Sequence, residues 1–398
     1  MSALSTAGII VKAYDVSWET GLFNPFYNLF DGDLAKKVSG YNHSIVADGG
    51  FDIATMSFVD SIYRAGDWYD DGLGRAILVI DNTGQEVFFG VVNRITFVQG
   101  NLTSAVGPLM SIANDVMSVY TPMFVDITPI FIGATRFTTV TQDVVSIAKY
   151  GQHMLVLNAG EAVVSGAYNE AEQARDTYLV ENAFPSDDEQ TVGFASSDVS
   201  ITLDIVGVRH YLDKYYYNNP VAGTTVISGS ASGKLEQVLA ADPNGIFGGQ
   251  DIDANPVLTR DFEDQNRTAS TIISELLTMG GASYDRWTFG IYDDRTPVYK
   301  PIPTTPDYTL RVGETSQITR YGQDTVVYPW EIRPGKWLVL QNAYSGDPIL
   351  TPTVSANDRR NLFIETVTYT APFDFQINGV KVSRLSQMIA RMGLKGIK

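Results

Sequence analysis

The amino-acid sequence predicts a mainly β protein with α+β insertions, and three observations carry that reading. The first is the stretch Arg75–Gln99, which reads as two strands joined by a tight turn. Ala76 to Ile80 is an uninterrupted apolar run, as expected of a strand covered on both faces. Asp81-Asn82-Thr83-Gly84 supplies turn chemistry, because Gly84 reaches positive φ without steric cost. Val87 to Val98 is rich in β-branched and aromatic residues. Val91, Asn93, Ile95 and Phe97 fall on one face, and Arg94 and Thr96 on the other. Gly90 in mid-strand signals a bulge or a close backbone approach. A covered hairpin with a bent second strand fits a small closed or nearly closed barrel. The second observation is punctuation: 35 Gly and 17 Pro divide a chain with 21 Tyr and 19 Phe, which favours strands and turns. The third is that two β-rich regions flank two segments of mixed period.

Residues 1–110 begin with a strand over Gly8 to Tyr14, followed by an aromatic, irregular stretch from Phe23 to Asp33. His43 to Phe58 reads as a second hairpin turning at Asp48-Gly49-Gly50, with Phe51, Ile53, Thr55 and Ser57 on one face. Trp68 to Gly72 reads as a loop held by aromatic packing, with a carbohydrate contact as the sharper alternative.

Residues 111–198 switch period. Ser111 to Tyr120 suits a short helix or a strand, and Pro122 and Pro129 interrupt the run beyond it. Val144 to Tyr150 reads as a short helix entered through Thr141-Gln142-Asp143 and stopped by Gly151. Leu155 to Leu157 is a strand. Ser165 to Phe184 is a helix with Ala167, Ala171, Ala174, Tyr178 and Leu179 inside and Glu170, Glu172 and Arg175 outside, ended by Pro185 and an acidic run. Val199 to Val208 alternates strongly and is expected to return to the first barrel and complete it.

Ser228 to Gly233 resembles a linker and suggests a boundary. Beyond it, Lys234 to Ala241 and Thr268 to Met279 read as helices, and Trp287–Tyr292 with Pro297–Pro301 as a hairpin over Asp293-Asp294-Arg295. Strands are expected at Thr325–Tyr328, Trp337–Gln341 and Phe363–Tyr369, with a terminal helix over Ser383 to Met392.

The formal charge of −17 disfavours nucleic acid as a standing partner, since phosphate contacts need a basic face. Without cysteine there is no disulfide and no thiolate chemistry. The N-terminus lacks the basic start and apolar core of a signal peptide, and no apolar run approaches the roughly 18 residues of a membrane helix. Synthesis in the cytoplasm and no stable membrane association are therefore expected.

Catalytic constellations do not emerge. His43, His153 and His210 stand far apart without metal or triad spacing. Asp251 to Asn255 begins like a calcium loop, but Pro256 stands where the turn glycine belongs and Phe262 where the bidentate glutamate belongs. Asp70, Asp71, Asp293 and Asp294 could serve a glycan hydrolase, although aspartate suits turns for geometry alone. No cofactor is implied, and the expectation is a protein that is not an enzyme. Arg384, Arg391, Lys395 and Lys398 make a basic end in an acidic chain, either neutralising a helix C-terminus or docking an acidic neighbour.

Several segments together resemble the hub proteins at the tip of bacteriophage tails. They are VFFGVVNRI (87–95), DVVSIAKYGQ (143–152), the helix through Ala167 to Leu179, TASTIISELLTMGG (268–281), WTFGIYDDRTPVYKPIP (287–303) and IRPGKWLVLQN (332–342). The resemblance covers most of the chain in order. It implies two tail-tube-like β-barrels plus two smaller mixed α/β domains. These map to 1–110 plus 199–217 for the first barrel, 111–198 and 218–310 for the mixed domains, and 311–398 for the second barrel region with its C-terminal helix. It also implies a homotrimeric ring that adapts the six-fold tail tube to a three-fold central spike or fibre and lines the channel through which DNA passes. The implied partners are a distal tail protein or tube above, the spike below and a tape measure protein. Relatives often continue into a peptidase or fibre module that this sequence lacks. A hexameric distal tail protein is the alternative within the class, and a virion-associated β-rich glycan hydrolase the alternative outside it. On the hub reading, Phe88, Phe89 and Arg94 meet the core or neighbouring subunits, and Arg384, Arg391 and Lys395 meet a partner.

Overall fold

The computed structural model describes residues 8–17, 22–25, 37–124, 131–163, 166–190, 198–217, 229–258, 267–283, 285–311, 317–341, 361–372 and 374–380. It opens with strands β1 (Ile10–Ser17), β2 (Leu22–Pro25), β3 (Val38–Val46) and β4 (Gly49–Ser61), then helix α1 (Ile62–Asp71). The hairpin over Arg75–Gln99 forms as β5 (Ala76–Ile80) and β6 (Glu86–Gln99), with β7 (Leu102–Val106) antiparallel to the far half of β6. Its turn is built by Asp81, whose carboxylate accepts from the Thr83 and Gln85 amides at 2.8 and 3.0 Å while Gly84 takes φ +88°. Gly90 is a close-approach glycine: a Cβ there would lie 2.6 Å from the Val206 carbonyl oxygen.

Two local expectations are corrected here. In the second hairpin the register slips between His43 and Ile45, so Phe51 and Ala54 both face inward. Met56 and Phe58 continue that inner face, and Ile53, Thr55 and Ser57 form the outer one. The segment Trp68 to Gly72 ends helix α1 and is not a free loop. Ser61 caps that helix by accepting from the Arg64 amide, and Trp68 is buried against Phe58.

The inserted segment contains β8 (Asp115–Phe124), α2 (Val144–Tyr150), β9 (Met154–Val163) and α3 (Ala167–Asn182). β9 runs parallel to β8, and α3 covers them with Ala167, Ala171 and Leu179. Asp143 caps α2 by accepting from the Ser146 amide at 2.9 Å, and Gly151 stops it at φ +84°. Arg175, expected outside, is buried. Its guanidinium donates to the Thr139 carbonyl at 2.7 Å and hydroxyl at 2.8 Å, and its charge is paired with the Asp176 carboxylate at 2.8 Å. The acidic run after Pro185 continues as β10 (Asp187–Gln190), antiparallel to β7. Then β11 (Asp198–Val206) enters between β4 and β6, antiparallel to both, with Ile201, Leu203 and Ile205 buried. This is the return strand the alternation predicts.

The run expected to be a linker instead starts helix α4 (Ala231–Ala240), capped by Ser230 accepting from the Gly233 amide. Helix α5 (Ala269–Met279) is capped by Thr268 and stopped by Gly280 at φ +64°. β12 (Trp287–Tyr292) and β13 (Thr296–Pro301) make the expected hairpin. They are followed by β14 (Tyr308–Arg311), β15 (Gln317–Arg320), β16 (Trp337–Gln341), β17 (Asn361–Thr370) and β18 (Asp374–Val380). Thr325 to Tyr328 is not a strand; only Val326 bridges to Thr319. The terminal helix expected over Ser383 to Met392 lies outside the described residues.

Among the described residues these strands do not close into two barrels. They join one open 17-stranded sheet. The reason is visible in two pairings: β17 bonds directly to β3, with Tyr369 opposite His43, and β12 runs parallel to the start of β4, with Ile291 opposite Gly50. The main core crosses the same seams, since Trp330 and Tyr369 pack into it with Phe58, Phe88 and Leu203. A smaller core of Tyr308, Ile318, Leu338 and Ile364 lies under β14 to β17.

Candidate assembly surface

The outer face of β4, β11 and β6 carries a run of hydroxyl side chains across three neighbouring strands. Their registers align three cross-strand rows: Val59–Ser200–Val98, Ser57–Thr202–Thr96 and Thr55–Asp204–Arg94. The hydroxyls of Ser57 and Thr202 lie 3.1 Å apart. Ile53, Val59 and Val98 are 51%, 50% and 41% exposed at its margins. Within these rows stand one acidic and one basic side chain, in a protein of charge −17. The surface is therefore hydroxyl-rich and nearly neutral, and it is backed by the buried faces of the same strands. Alternation in Val87–Val98 and Val199–Val208 signals half of it from sequence. The β4 half is hidden by the bulge that reverses its phase.

Phe88 and Phe89 are buried within the chain, and Phe88 packs on His43 and Phe51. Both side chains therefore belong to the core of the folded protein. Arg94 lies on the hydroxyl-rich face opposite Asp204, and its Nε is buried without a hydrogen-bond partner among the described residues. Arg384, Arg391 and Lys395 lie outside the described residues.

The four aspartates considered for glycan hydrolysis fall in two pairs, each engaged by other residues of the chain. Lys149 lies 3.8 Å from the Asp71 carboxylate and donates to the Asp70 carbonyl. Arg333 pairs with Asp293 at 3.1 Å, and Asp294 lies beside Arg295. Asp294 donates its amide to Glu86, whose carboxyl is pushed up to about 6 by burial and by the neighbouring Asp293 and Asp294. Glu86 carried no signal in sequence, because hairpin pairing and the distant Asp293 turn together create its environment. The Asp251 to Asn255 stretch is used structurally: Lys300 pairs with Asp251 at 2.6 Å, and Asn255 is buried, donating to Tyr299 and the Gly280 carbonyl. Among the described residues no group of three His, Asp or Glu is placed to hold a metal ion.

One charged cluster has no sequence signature. Asp52 on β4 accepts from Arg209 and, at 3.1 Å, from the His210 ring. Burial opposes its ionisation, but the bonds and charges of His210 and Arg209 prevail and hold the carboxyl down at about 2. The cluster clamps the turn after β11 onto β4.

Two solved structures are similar to this chain. A tail protein from Neisseria meningitidis MC58 aligns over 91% of this chain and 92% of its own, at 8% identity and a TM-score of 0.40. The 43 kDa tail protein of prophage MuSo2 from Shewanella oneidensis aligns over 96% and 98%, at 7% identity and a TM-score of 0.41. No protein-family model matches the sequence, and no curated protein is similar to it.

Proposed function

We propose that this chain is the structural hub of a bacteriophage tail tip or baseplate. In this reading three copies form a ring that adapts the six-fold tail tube to a three-fold spike or fibre and lines the channel for the genome. The protein is made in the host cytoplasm and built into the virion, where it meets a distal tail protein or the tube above, the spike below and a tape measure protein. The observation that carries the reading is the nearly neutral, hydroxyl-rich face of β4, β11 and β6. Permanent subunit contacts bury about 2,000 Å² or more, and a sheet face contributes part of such an area without ordering loops. Hydroxyls bond across a contact without the desolvation cost of buried charges, and Val59 and Val98 add apolar area at its margin. The basic residues Arg384, Arg391 and Lys395 dock an acidic neighbour in the same assembly.

Light scattering on the purified chain tests the reading. Three copies per particle are expected. Val59→Glu combined with Val98→Glu should release monomers with an unchanged circular dichroism spectrum. A parent protein that is a stable monomer at micromolar concentration would overturn the hub, and six copies would favour the distal tail ring instead.

A further inference from the structure

We propose that the turn joining β12 to β13 is a pH-sensitive latch, which grips the Glu86 side chain in acid and loosens toward neutral pH. The turn, Asp293-Asp294-Arg295, is where three other parts of the chain converge. From the first hairpin, the Glu86 carboxylate accepts from the Asp294 amide at 3.0 Å. From the segment before β16, Arg333 donates to the Asp293 carboxylate at 3.1 Å, to the Glu86 carbonyl at 3.2 Å and to the Trp330 carbonyl at 2.7 Å. From the stretch after α4, the Gly248 amide donates to the Arg295 carbonyl at 3.0 Å, and the Arg295 guanidinium donates to the Ile246 carbonyl at 3.3 Å. A Cβ on Gly248 would clash with the Asp294 carbonyl oxygen, so that approach requires a glycine.

The turn is strained as well as crowded. Asp294 and Arg295 stand at φ +53° and +57°, in the left-handed region that hairpin turns usually give to glycine or asparagine. Two such residues in succession persist only where the surroundings hold them. Docking on Glu86, Arg333 and Gly248 supplies that hold. A change in any one of these contacts therefore moves the balance between the docked turn and a relaxed one.

Glu86 is the contact that changes with pH. The charged and titratable groups that face it are Asp293, Asp294 and Arg295 from the turn, Arg333 from the segment before β16, and Tyr14 from β1. Burial and the two aspartates raise its carboxyl to about 6 from the ordinary 4.5, against the Asp294 amide and Arg295, which favour the charged form. A protonated carboxyl still offers an oxygen to the Asp294 amide, and it no longer repels Asp293 and Asp294. The docked turn thus holds the proton more tightly than an undocked glutamate does. Docking has its full strength below about pH 4.5 and loses it as the pH rises through 6. The rise from 4.5 to about 6 corresponds to at most about thirtyfold in the equilibrium between docked and undocked turn. The latch works through these contacts alone, whatever the protein's place in a particle.

Hydrogen–deuterium exchange of the full chain tests it, read at the Asp294 amide by mass spectrometry with fragmentation and corrected for the intrinsic pH dependence of amide exchange. Protection is expected to be about eightfold greater at pH 5 than at pH 7.5. Glu86→Gln keeps an acceptor oxygen without a charge, so it should hold protection high at both pH values and remove the difference. Asp294→Asn places an asparagine where left-handed backbone suits it, and should shrink the difference by removing one repelling charge. Equal protection at pH 5 and pH 7.5 in the parent protein overturns the proposal, as does an undiminished difference in Glu86→Gln. Should Glu86→Gln fail to fold, Asp294→Asn decides, and an undiminished difference there overturns the latch.

Discussion

His43 stands on β3 opposite Tyr369, with the rings of Tyr41, Phe88 and Tyr369 at 5.5, 5.6 and 5.3 Å from its own. Neither ring nitrogen has a hydrogen-bond partner among the described residues. Burial, with a smaller contribution from the charge of Arg333, lowers its ionisation to about 3 from the ordinary 6.5. The unfolded chain therefore takes up a proton at His43 before the folded chain does. Its contribution to stability is complete above about pH 6.5 and is lost as the pH falls from there toward 3, at up to about 1.4 kcal/mol per pH unit. His153, also buried and lowered to about 3, acts in the same direction. His43→Phe should leave the melting temperature at pH 7 unchanged or higher and remove about one proton from the pH dependence between pH 4 and 6. An unchanged slope in thermal melts across that range would contradict the assignment.

The element on which the first β region depends is β11, since among the described residues it alone joins β4 to β6. Leu203 and Ile201 are fully buried on its inner face. Leu203→Ala leaves a cavity between two strands that have no other direct ladder there, and should cost about 2–5 kcal/mol in urea unfolding. Asp143→Ala at the α2 cap should cost only about 1 kcal/mol, because one amide donor loses its acceptor at a short helix end. Were the order of these two losses reversed, the central place of β11 would fall. Both elements were readable from sequence, one from strict alternation, the other from an Asp before an apolar run and a Gly after it. Helix α1 was not readable, because its apolar face reduces to Ala65 and Trp68 and its second half contains three Asp and precedes a Gly.

Taken whole, the molecule is held together across its two β regions. β17 is hydrogen-bonded to β3, and Trp330 stacks on Tyr328, meets Tyr369 and donates to Asp81 in the turn of the first hairpin. The Asp52–Arg209–His210 cluster and the β12–β4 pairing tie the middle of the chain to the same strands. Calorimetry should accordingly show one cooperative transition across both β regions. Two well-separated transitions would show that the seam contributes little and that the halves fold independently.

By itself the sequence determined whatever depends on neighbours within a few residues. The first hairpin and its Asp81–Gly84 turn, the capped helices over Val144–Tyr150 and Ala269–Met279, and the return strand arise from periodicity, caps and turn chemistry. The tertiary structure decided whatever depends on residues far apart in the chain. It reversed the phase of β4 through a bulge, buried Arg175 against Thr139, and put Phe88 and Phe89 in the core. It also joined the second β region to β3 where two separate barrels were expected. Local backbone preference fixes an element within one or two turns of chain. Which strand it pairs with, and which of its faces is covered, is set by packing between segments beyond that reach, as where β3 meets β17.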